Sequence, residues 1–171
     1  PLNHPGRDRE KGRIWRLVYT GKDGKGGPKP FRDLTKATTA ELIEELGNTN
    51  LTVRIQAANL LASQKHADAV HLAARAVKQE NAFRTAHALW VLERLGALKD
   101  EVLEAAMRRS ERVVRVHALK ILGERAKVGS AQSLAISDAL GDADPFVQRA
   151  AAEAAGAHAS GAMLVRLVAM R

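Results

Sequence analysis

The chain has 171 residues, 46% hydrophobic and 27% charged, which is enough apolar side chain to bury a core and too much for simple disorder. It contains no cysteine, so a disulfide framework, a thiolate metal site, a thiol nucleophile and covalent haem attachment are excluded within this stretch. The net charge of +8 invites a nucleic-acid reading, yet its distribution is uneven. Up to Ala37 there are 10 Lys and Arg against 4 Asp and Glu, and beyond it 17 against 15, so most of the basic excess sits in the front end. No run approaches the roughly 18 apolar residues of a membrane span, and nothing at the start reads as a signal peptide. The chain opens at Pro1 and closes on Met170-Arg171 inside an apolar periodic segment, which reads as a piece of something longer.

Four of the five prolines stand at or before Pro30, and all 31 alanines stand from Ala37 onward, so two regions, 1–37 and 38–171, are expected. The first holds one extended candidate, Arg13 to Tyr19, in which Trp15, Leu17 and Tyr19 share a face at period two. Gly21 to Pro30 follows, a Gly/Pro/Lys stretch that resists helix and ladder alike and reads as linker. It is not a phosphate loop: Gly21 and Gly26 have the spacing, but Gly27 stands where the lysine belongs.

From Thr38 the apolar residues follow helical spacing with a period near 31 residues. Ala57, Ala88, Ala118 and Ala151 occupy one register position, and seven residues before them stand Asn50, Asn81, Glu111 and Asp144. Asn and Asp accept the unpaired amides of a first helical turn, and Pro145 suits the first helical position, so each unit starts its second helix there, with Glu111 the weakest cap. Leu42/Leu46, Ala73/Val77, Leu103/Met107 and Ile136/Leu140 form the apolar stripe of each preceding helix. Thr38 and Glu41 have capping-box spacing, and Gly47, Gly96, Gly123 and Gly141 fall at or near helix ends. Four helical hairpins are expected, at 38–64, 66–98, 99–128 and 129–160, with 161–171 starting a fifth. One hairpin cannot bury its stripe alone, which predicts an all-α, α-α superhelical stack.

The pattern of cap, Val-Arg, Ala and Leu resembles HEAT repeats, most clearly in Asn50 to Leu61 and again in Val114-Arg115-Val116-His117-Ala118-Leu119. Thr85 and Gln148 replace the arginine in the other two units. The resemblance covers residues 38–171 and implies a HEAT-repeat solenoid. The front end, Asn3 to Arg9 followed by Gly12 to Tyr19, resembles the last β-propeller strand of large planctomycete-type bacterial membrane-bound dehydrogenases. In that family HEAT repeats and then a c-type cytochrome domain follow the propeller. This second resemblance implies an exported, extracytoplasmic parent protein whose propeller and haem domain lie outside the present chain; without it a cytoplasmic location is expected.

No catalytic constellation is present, and no cofactor or metal site is expected. His66 and His71 differ in helical phase, while His87 and His117 occupy equivalent places in adjacent units and supply only two ligands. Asp142 and Asp144 resemble the start of a calcium loop but lack its glycine and distal glutamate, so Asp144 reads as a cap. Trp90 stands where other units hold Asn59, Lys120 and Glu153, and therefore reads as outside the core, either as a binding anchor or packed against a neighbouring helix or the front-end tail. The expected binding residues are His87, Trp90, Arg94, His117 and Lys120, at one phase of two successive second helices.

Two functions follow. One is a non-catalytic interaction or spacer module, binding a protein or neighbouring domains of its own parent. The other is a nucleic-acid-binding solenoid like the HEAT-fold DNA glycosylases, disfavoured by Glu124 and Glu153 on the same face and by the basic excess lying in the linker. An independent hydrolase or transferase has no residue in its favour.

Overall fold

A computed structural model describes residues 17–24, 26–27, 32–158 and 161–169. The chain divides into two compact units, Pro1–Arg32 and Asp33–Arg171. In the first, the Gly26 amide donates to the Thr20 carbonyl across a turn in which Gly21 and Gly24 have positive φ. The extended candidate 13–19 lies largely outside the described residues; Leu17, Val18 and Tyr19 are exposed.

The second unit is all-helical among its described residues. A short 3-10 turn, Leu34–Lys36, precedes α1 (Thr39–Glu45), α2 (Leu51–Gln64), α3 (Ala69–Ala76), α4 (Ala82–Arg94), α5 (Asp100–Met107), α6 (Arg112–Glu124), α7 (Ser130–Ala139), α8 (Pro145–Ala157) and α9 (Gly161–Ala169). Leu34 and Ala37 are buried in the helical core, so this unit begins at Asp33, five residues before the expected second region at 38. The expected caps hold α1, α2, α4 and α8. Thr38 and Glu41 form a capping box, Asn50 accepts from the Thr52 amide, Asn81 from Arg84 and Asp144 from Phe146. Glu111 makes no cap bond, because its carboxylate is taken by Arg109 and Ser110. Gly96, at φ +66°, closes α4: the Ala97 amide reaches the Leu92 carbonyl and the Gly96 amide that of Glu93.

Each even-numbered helix packs on the helix before it and on its even-numbered neighbours, α2 on α4, α4 on α6 and α6 on α8. The four aligned alanines, Ala57, Ala88, Ala118 and Ala151, are all fully buried along this row, with Leu89, Leu119 and Leu122. A polar device recurs in every hairpin. The residue four places after the cap donates back to the carbonyl six residues earlier, tying the turn to the second helix. Arg54 donates to Asn48 (2.6 Å), Thr85 to Gln79 (3.2 Å), Arg115 to Arg109 (2.8 Å) and Gln148 to Asp142 (2.7 Å). Thr85 and Gln148 thus keep the task that arginine performs in the other two units.

Between α6 and α8 small residues meet. A Cβ on Gly123 would stand 3.4 Å from the Cα of the buried Ala154. Gly123→Ala is therefore expected to be neutral, or stabilising by up to about 1 kcal/mol through helix propensity. Gly123→Leu forces the helices apart and should cost about 1–3 kcal/mol. Paired urea titrations would check this; an equally stable leucine variant would contradict the close approach.

Candidate functional site

The exposed side of α2, α4 and α6 encloses a groove of about 440 Å³. Leu51, Arg54, Ile55 and Asn59 line it from α2, Phe83, His87, Trp90 and Arg94 from α4, and Val113, His117 and Glu124 from α6. Four of the five expected binding residues, His87, Trp90, Arg94 and His117, meet here. Lys120 does not: one turn further along α6, it lines a separate 160 Å³ hollow with Val116, Phe146, Arg149 and Glu153. The single patch expected from helical phase is therefore two.

The four groove residues differ in role. Trp90 is half-buried and packs against the core, and its indole N–H donates to His117 Nδ1 at 2.8 Å. It is therefore packed on a neighbouring helix and still partly accessible from the groove. An indole nitrogen can only donate, so His117 accepts at Nδ1 and carries its proton on Nε2. His87 is buried, not an open contact residue; its Nε2 accepts from Arg54 Nε at 3.2 Å, which places its proton on Nδ1. The two imidazoles stand 6.0 Å apart between centroids. Arg94 is exposed and donates to Asn59 across the gap between α4 and α2 at 2.7 Å.

Burial pushes His87 down to about 4, helped by His117, Arg54 and Arg94 around it; burial likewise lowers His117, with Lys120 and Arg54 adding to the effect. Both rings are thus neutral acceptors at neutral pH. Because the unfolded chain takes up these protons more readily, stability is fully present above pH 6.5 and falls as pH drops toward about 4. Replacing His87 with Gln should flatten that slope in thermal melts between pH 7 and pH 4; an unchanged slope would show that the histidine titrates freely.

Arg54 and Phe83 were not among the expected binding residues. Arg54, visible only as the arginine of the repeat pattern, is 7% exposed and lies 4.3 Å over the Phe83 ring. A second pair of this kind, Arg112 over Phe146 at 4.7 Å, borders the Lys120 hollow. Asp142 and Asp144 are committed within the fold, to Arg115 and to the α8 cap. Among the described residues no group of three or more His, Cys, Asp or Glu could hold a metal ion, and no helix is long and apolar enough to cross a membrane. No protein-family model matches the chain, and no curated protein is significantly similar to it.

Proposed function

We propose that residues 33–171 form a HEAT-type α-α superhelix acting as a non-catalytic interaction module, with the groove across α2, α4 and α6 as its partner-binding face. One observation carries this reading: Leu51, Ile55 and Phe83 remain 54%, 46% and 45% exposed around a single groove that also contains a half-buried tryptophan. Exposed apolar side chains are ordinary when scattered, but gathered around a concavity with aromatic and arginine anchors they mark binding surfaces. The resemblance of residues 3–19 to a propeller tail supports placing the module within an exported redox protein. The flanking gene sequence tests that placement, since a propeller upstream and a Cys-x-x-Cys-His motif downstream are expected.

A photo-crosslinking residue installed at Leu51 should yield a partner adduct that the same residue at Leu134, 62% exposed on α7, does not. Trp90→Ala should abolish the adduct while leaving the protein folded. Equal adducts from both positions would refute the groove. The second reading, nucleic-acid binding, draws on the net charge of +8 and on Trp90 with Arg94, while Glu124 in the groove and Glu153 beside Lys120 oppose it. Plain duplex DNA is accordingly expected to give no salt-dependent mobility shift.

A further inference from the structure

We infer that Arg54 anchors a carboxylate-recognition site in the groove, which takes an acidic side chain carried beside a large apolar residue of a partner polypeptide. The inference rests on reading the groove as the partner-binding face, and it adds the chemistry of what binds there.

Arg54 leaves part of its donor set unused within the fold. Its Nη1 donates to the Asn48 and Thr49 carbonyls at 2.6 and 3.1 Å, and its Nε donates to His87. Its Nη2 has no acceptor among the described residues, and the side chain lines the groove. A guanidinium that is more than nine-tenths buried, held by three bonds and stacked on Phe83 therefore faces the groove with donors to spare. Arginine cannot give up its charge, and no carboxylate pairs with this one among the described residues.

The same position two hairpins later shows what closes such a fork. Arg115 makes the equivalent pair of bonds, to the Arg109 and Ser110 carbonyls. Its remaining donors, however, grip both oxygens of Asp142, at 3.1 and 3.2 Å. Asp142 stands two residues before the Asp144 cap of the following hairpin, and Gln79 holds that place before Asn81. The Gln79 side chain is drawn away to Arg84, so nothing in the second hairpin supplies the carboxylate that the fourth supplies to Arg115.

The surroundings select the rest of the ligand. Arg94 adds a second cation on the same groove, and both imidazoles are neutral, so the lining carries two guanidiniums and one carboxylate, Glu124. Leu51, Ile55 and Phe83 provide an apolar wall for the neighbouring side chain, and about 440 Å³ accommodates a few side chains rather than a folded domain. A phosphodiester strand would bring repeated charge past Glu124 and offer little to those aliphatic walls.

The test titrates the isotopically labelled full chain with the amide-capped tripeptide acetyl-Leu-Glu-Phe, with its Gln counterpart and with duplex DNA, following the Arg54 Nε–H and Trp90 Nε1–H signals. The Glu peptide should shift both signals saturably, and the Gln peptide should bind about tenfold more weakly, the loss expected for a charge-assisted bond. Arg54→Lys, which keeps the charge but loses the fork, should remove that preference. Where the lysine variant fails to fold, the comparison of the two peptides on the unmodified chain decides. Equal binding of both peptides at the groove would overturn the carboxylate inference and leave the partner-binding face standing. No groove shift with either peptide would overturn the inference, with Leu51 cross-linking then deciding the fate of the face itself. Shifts produced more tightly by duplex DNA would overturn both.

Discussion

Arg54→Met should lower the unfolding free energy by about 2–3 kcal/mol, read from urea denaturation of the full chain. Methionine fills much of the same volume, so the loss is not a cavity effect. It comes from the Asn48 and Thr49 carbonyls and from His87 Nε2, which lose their donors together. Each such group left partly buried and unpaired costs about 1–3 kcal/mol, offset in part by relieving a buried charge. Thr85→Val, at the same register position in the next hairpin, removes one neutral bond to Gln79 and should cost only about 1 kcal/mol. If the two variants are equally stable, the arginine contributes through shape alone and the turn-tying role is wrong.

Leu119→Ala should be the most damaging single truncation in the even-numbered row, costing about 2–5 kcal/mol. Leu119 is fully buried on α6, which packs against α4 on one side and α8 on the other. Leu134→Ala, at a 62% exposed position on α7, should change stability by less than about 0.5 kcal/mol. Calorimetry of the two variants side by side separates the outcomes; comparable losses would mean that α7 is covered in solution.

The helices were legible because two independent signals agreed on one period. Asn50, Asn81 and Asp144 cap where expected, and the aligned alanines are all fully buried. Helical phase also brought His87, Trp90, Arg94 and His117 to one face. Equivalent register does not report toward which neighbouring helix a side chain leans, however: Glu124, further along α6, still lines the groove, while Lys120 lies against residues of α8 in a different hollow. Arg54 is visible in the sequence only as the arginine of the repeat pattern, and its role in tying the turn is structural. What distinguishes it from Arg115 is a residue in a different hairpin, Gln79 in place of Asp142, and that pairing becomes visible only once the stacking of units is known. The capping failure of Glu111 has a local origin instead: Arg109, two residues away in the same turn, competes for the carboxylate and holds its pKa down at about 2.

The bonds running Arg54 to His87 and Trp90 to His117, with the ring contact between the two imidazoles, pass through the first three hairpins in turn. In the proposed superhelix, stability would divide into the worth of each unit and the worth of each junction, and strong junctions make neighbouring units melt as one. Arg125 reinforces the second junction by gripping both oxygens of Glu93. Amides of α2, α4 and α6 should therefore exchange with solvent at a common rate, as one cooperative block, while α9, which presents Val165 and Val168 to water, opens independently and first.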